Sequence, residues 1–128
     1  MTATRIKRRP PVAVGHVFFA ASDVAAAERW FVMAGLRPIA ADDGFAVLEL
    51  RGGTHLVVTK RRRKTASGGE APFDLMVDDI GAAHRKFAAK GMKPSRIRHG
   101  SIHDSFRVAG PDGRFFAIVS SHADNRAV

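Results

Sequence analysis

The sequence contains no cysteine, which removes disulfides, thiolate metal sites and cysteine nucleophiles together. Nothing points to an oxidising compartment, and a cytoplasmic location is expected. Long apolar runs are missing as well. None approaches the length of a membrane-crossing helix, and the N-terminal MTATRIKRRPP carries positive charge without the apolar stretch of a secretory signal. Acidic residues are scarce, 12 against 21 Lys and Arg, so the formal net charge is +9. Such a field attracts anions of any kind and disfavours a cationic ligand.

Much of that charge falls in two runs, RIKRRPP from Arg5 to Pro11 and KRRRKTASGGE from Lys60 to Glu70. Their Pro, Ser and Gly neighbours mark a mobile arm and a solvated loop. The competing reading is polyanion binding, because the second run can neutralise several phosphates. Against it, no aromatic residues are interleaved with these charges and no nucleic-acid motif is present.

What is present is the balance of a packed soluble domain, 128 residues with 45% hydrophobic and 26% charged, a size at which one core is sustained without staples. The chain also repeats itself. SDVAAAERWFVMAGLRP begins at Ser22 and DDIGAAHRKFAAKGMKP at Asp78. Ungapped alignment from His16 with Pro72 to Pro38 with Pro94 pairs Asp23 with Asp79, Arg29 with Arg85, Phe31 with Phe87 and Gly35 with Gly91. A repeat of this length is one supersecondary unit used twice, each copy too small to bury its own apolar face.

Each copy opens with a strand-like run, HVFFAAS or FDLMV, rich in residues that suit a pleated surface. A helix follows. Ser22, Asp23, Asp78 and Asp79 offer oxygens to cap the helix starts, Val24, Ala27, Phe31 and Ala34 form an apolar stripe, as do Ile80, Ala83 and Phe87, and Gly35 and Gly91 stop the helices. Short strands divided by glycine turns complete each half: FAVLEL and THLVVT in the first, SFRVA and RFFAIVS around PDG in the second. The expected organisation is a basic arm over 1–13, a first βαβββ module over 14–60, a basic linker loop over 61–71, a second βαβββ module over 72–121 and a tail over 122–128.

These residues resemble the vicinal oxygen chelate superfamily of glyoxalase I, fosfomycin and bleomycin resistance proteins and extradiol dioxygenases. The resemblance is carried by GHVFFAASDVAAAERWFVMAGL, FAVLELRGGTHLVV, FDLMVDDIGAAHRKFAAKGM and SFRVAGPDGRFFAIV. It implies an α+β fold of two βαβββ modules whose curled mixed sheets surround a cleft, and a homodimer in which a neighbour completes that cleft. One architecture of this kind hosts many activities.

In metal-dependent members the ion hangs from inward His and Glu side chains of both modules, with donor atoms about 2.0–2.3 Å from one centre. The resemblance places the first such ligand at His16, but the others fall on Pro72, Ala117 and the neighbourhood of Val57, which carry no donor. No cofactor is therefore expected. The alternative is a displaced divalent metal at His16, His55 and Asp74, two histidines and a carboxylate on the same strand faces. Each shift of two residues moves a side chain by about 6–7 Å, so geometry decides. In the plain alternative His16 is a partly buried histidine and His55 a strand residue near the rim.

Strand alternation assigns the cleft lining. Val17 and Phe19 pack under the first helix while His16, Phe18 and Ala20 face the ligand. Phe73, Leu75 and Val77 turn inward, leaving Asp74 and Met76. Phe106 and Val108 belong to the core, so Ser105 and Arg107 turn to the cavity, and His103 shares their parity. Arg107 stands where the resemblance places a ligand-contacting tyrosine. A semi-buried arginine needs a carboxylate, so either Asp74 pairs with it or an anionic ligand does. His99 and His103 are otherwise rim residues, and Trp30 serves packing or a dimer contact.

The resulting expectation is a metal-free, glyoxalase/bleomycin-resistance-like protein that binds a small neutral or acidic molecule, with Phe18, Met76 and Val57 as apolar walls. The enzymatic alternative is a metal-dependent lyase, isomerase or dioxygenase at the displaced site. A membrane partner is not expected.

Overall fold

In a computed structural model the described residues are 8–62 and 68–121. The first seven residues of the expected arm, the middle of the basic linker and the expected tail lie outside them. Among the described residues no helix is long and apolar enough to cross a membrane.

The first module runs β1 (His16–Ala21), α1 (Val24–Ala34), β2 (Arg37–Ala41), β3 (Phe45–Glu49) and β4 (His55–Lys60). The second runs β5 (Leu75–Val77), α2 (Ile80–Ala89), β6 (Arg98–His99), β7 (Asp104–Ala109) and β8 (Phe115–Ser120). Each forms a four-stranded mixed sheet of the same topology, β1-β4-β3-β2 and β5-β8-β7-β6, whose first two strands are parallel. The doubled sequence thus folds as a doubled βαβββ unit, and both sheets are open.

Local chemistry sets the helix limits. Asp23 and Asp79 accept hydrogen bonds from the amides of Ala26 and Ala82, each at 3.0 Å, the capping that satisfies free N–H groups at a helix start. Gly35 ends α1 at φ +117°, a left-handed conformation that glycine adopts without cost. Pro38, just beyond the helix, lies inside β2. It is tolerated because β2 is an edge strand, where a missing N–H leaves no ladder bond unmade.

Ser22 and Asp78, both expected as caps, do something else. They occupy equivalent positions just before the two capping aspartates, and each reaches the other module. The Ser22 amide and hydroxyl donate to the Asp112 carboxylate in the β7–β8 turn. Asp78 accepts two hydrogen bonds from Arg51 in the β3–β4 turn, at 3.0 and 3.1 Å. The segment before each helix therefore holds a hairpin turn of the opposite half.

Asp112 also accepts from Arg61 at 3.1 Å, with the two side chains only 7% and 13% exposed. Burial pushes the Asp112 carboxyl up, but the hydrogen bonds from Ser22 and Arg61 together with the arginine charge outweigh it and hold the group below the ordinary aspartate value. Arg61 is thus a structural cation at the module junction and not a solvated member of the basic loop.

One core serves both halves. Phe31 of α1 meets Phe19 and Phe116 edge-on at 5.5 Å each, and Trp30 stacks on Phe116 at 4.9 Å. The Trp30 indole N–H donates to the Ala109 carbonyl at 3.1 Å, which fixes this residue as packing. Such aromatic pairs contribute about 0.5–1.5 kcal/mol each beyond their buried area.

Candidate functional site

Because strand side chains alternate, each sheet has a face against the helices and an open face. Phe19 and Ala21 are buried while His16, Phe18 and Ala20 are exposed. Leu75 is buried while Asp74 and Met76 are exposed, and Phe106 and Val108 are buried beside half-buried Ser105 and exposed Arg107. Both open faces carry large apolar side chains, with Phe18 62% and Met76 49% exposed, together with Phe45 and Phe115.

On the first sheet, register places four polar residues in one row across the strands. His16 is the partner of His55, His55 of Glu49, and Glu49 of Arg37. The two imidazoles lie 5.9 Å apart, centroid to centroid. One oxygen of Glu49 holds Arg37 and the other faces His55 Nε2 at 3.6 Å. The next row on this face is apolar: Phe18, Val57, Val47 and Ala40. Phe18 also stacks against His16, with 26° between the rings.

On the second sheet, Arg107 lies across the strands from Ala117, and Ser105 from Val119. The Arg107 guanidinium sits 4.5 Å from the centre of the Phe115 ring, a cation–π contact. Its carboxylate partner is Glu70 and not Asp74. Glu70 lies ahead of β5 beyond bends at Pro72 and Phe73, where strand alternation does not reach. His99 pairs with Asp104 at 3.2 Å on the rim, and His103 is half-buried just before β7. The His84 Nε2–H donates to the Ser95 carbonyl at 2.9 Å, and the ring packs edge-on against Phe106, a structural role.

The structure brings His16 and His55 together but does not assemble the displaced set with Asp74. Among the described residues no group of three His, Asp or Glu side chains is placed to share a metal ion. Pro72, Val57 and Ala117 hold the positions where the resemblance places donors, and the residues present do not fit the ion. A groove of about 1220 Å³ adjoins the polar row at Arg37 and Glu49 and runs between Arg9 to Val14, the end of α1, the β3–β4 turn and β5. Of the expected site residues, it takes Asp74 and Met76.

Two sheets of β-α-β-β-β order, each with an open face, define the glyoxalase/bleomycin resistance/dioxygenase fold, and comparison with solved structures agrees. A lactoylglutathione lyase from Agrobacterium tumefaciens superposes with a TM-score of 0.72 at 16% identity, over 89% of this chain and 97% of that one. A glyoxalase/bleomycin resistance protein/dioxygenase from Alicyclobacillus acidocaldarius gives 0.67 at 17% identity, over 88% and 93%. A glyoxalase/bleomycin resistance protein from Catenulispora acidiphila gives 0.65 at 19%, over 85% and 99%. No protein-family profile and no curated protein sequence matches the chain. At these identities the likeness is one of fold.

Proposed function

We propose that the chain binds a small neutral or acidic molecule on its open sheet faces, without a metal, and that a second copy covers those faces to complete the cleft. The observation that carries this reading is the exposure of Phe18 and Met76, 62% and 49%, beside the polar groups of His16, His55 and Arg107. Apolar walls with a few polar groups are the usual lining of a ligand site. Large apolar side chains left in water mark a surface that is covered in use. Val57 and Ala117 supply space rather than bonds, and Ser105 supplies a hydroxyl beside Arg107. The net charge of +9 favours neutral and anionic ligands over cationic ones.

The test is a thermal-shift panel of matched neutral, carboxylate and amine compounds against the wild type, F18A and M76A. Neutral or acidic compounds raise the wild-type Tm and lose that effect in both variants. A response confined to amines, or one that survives both substitutions, overturns the proposal.

A further inference from the structure

The second module contains a long stretch with charge of one sign only. From Ile80 to His103 the cations are Arg85, Lys86, Lys90, Lys93, Arg96 and Arg98, and there is no Asp or Glu. All of these cations are exposed, and none has a carboxylate partner among the described residues. The acids at the borders are engaged elsewhere, Asp79 with the Ala82 amide and Asp104 with His99. Arg85, Lys86 and Lys90 stand on α2, and Arg98 lies on β6, the edge strand of the second sheet. Between them, the segment with Lys93 and Arg96 is fastened at Ser95 from two sides. The Ser95 carbonyl accepts from His84 of α2 at 2.9 Å, its amide donates to the Arg107 carbonyl and its hydroxyl accepts from the Arg107 amide, each at 2.8 Å. Lys90 is committed to the Met33 carbonyl at 2.7 Å. The other five cations are free to meet an anion on a fixed frame.

We infer that this surface binds the phosphate backbone of a nucleic-acid duplex without reading its sequence. Charge complementarity names an anion, and the rest of the surface narrows its class. Among the described residues, none of the exposed large apolar side chains lies between Ile80 and Ser101. Phe87 is buried, and Ile80, Met92 and Ile97 pack against the core. A protein partner needs apolar anchors at the centre of its interface, and membrane attachment draws on buried apolar groups as well as charge. A phosphate backbone needs neither, because affinity comes from the counterions that its neutralisation releases. Single strands are held by bases stacked on aromatic rings, and this surface exposes no Phe or Trp. The side chains that make the contact are not those of the small-molecule reading, so either can fail alone.

Fluorescence anisotropy with labelled DNA duplexes of two unrelated sequences, repeated across a salt series, tests the assignment. The wild type binds both duplexes equally, and log K falls against log salt with a slope of about −4.5, the value for about five neutralised phosphates. The double variants R85Q/K86Q and R96Q/R98Q each flatten that slope by about 2. R8Q/R9Q and K60Q/R62Q remove as many charges from the two basic runs and leave the slope as it is. All four variants alter only exposed side chains, so they fold as the wild type does. A slope that both second-module variants leave unchanged, or that flattens in the variants of the basic runs instead, overturns the assignment. Tighter binding to a single strand of the same length, tighter binding to anionic phospholipid vesicles at equal phosphate, or no binding to duplex at low salt overturns it as well.

Discussion

Ser22 and Asp112 meet across the junction of the two modules, the serine donating from both its amide and its hydroxyl to one carboxylate. Asp112 adopts φ +60° at the turn, a conformation that aspartate and asparagine tolerate better than most residues. The backbone therefore does not require the charge, which instead faces the half-buried Arg61.

That arrangement sets the first prediction. D112N keeps the turn but replaces the charged acceptor of a part-buried hydrogen bond from Arg61 with a neutral one, which should cost about 1.5–3 kcal/mol. The folded carboxyl lies below its ordinary value, so its contribution is fully present above about pH 4 and is lost as pH falls through the folded value. Tm measured against pH should fall on acidification in the wild type, with a smaller acid-side slope in D112N. Equal slopes would show that Asp112 contributes no charge-dependent stability.

The counterpart across the junction should behave differently. Arg51 and Asp78 form two parallel hydrogen bonds, but their side chains are 50% and 73% exposed. Exposed pairs contribute about 0–1 kcal/mol and are screened by salt. Urea unfolding of D78N should show a loss under about 1 kcal/mol that shrinks further at high salt. A loss as large as that of D112N would mean that the latch is shielded from water.

Gly110 tests the shared core. A Cβ at this position would lie 2.8 Å from the Phe116 ring and 3.2 Å from Trp30, so the aromatic stack must shift. G110A should cost about 1–3 kcal/mol in chemical denaturation, whereas G15A, with nothing within 4 Å of its added Cβ, should be near neutral. Because Phe116 joins both halves, G110A should lower one cooperative transition rather than split it. Two resolved transitions would show that the modules unfold separately.

Removal of divalent ions should leave the protein unchanged. The described residues hold no three-donor cluster, so dialysis against a chelator should not move the Tm, and added zinc, nickel or manganese should not raise it. A metal that binds the folded state tightly would raise the Tm in proportion to its concentration and affinity, and such a rise would reverse the metal-free reading.

The fold was legible because its signals are local and doubled. Strand alternation separated Phe18 from Phe19 and Met76 from Leu75, and Asp23 and Gly35 marked the limits of a helix. Pairing across the molecule was not legible. Alternation names the face of Asp74 and Arg107, but the carboxylate that meets the guanidinium is Glu70, placed by the bends ahead of β5 and not by any strand pattern. Glu49 was missed although it lies on the same face as Val47, because only the β3–β4 register sets it opposite His55. Arg61 looked like one more cation in a basic run. Its burial follows from a carboxylate in the other half of the chain, which no window around residue 61 contains.

The crossed grip of Ser22 on one hairpin and Asp78 on the other has a historical consequence. After a gene doubles, its two halves ordinarily drift apart at their own pace. Here each half carries part of its sibling's fastening, so a change just ahead of either helix is felt in the opposite copy, and the pair must diverge together.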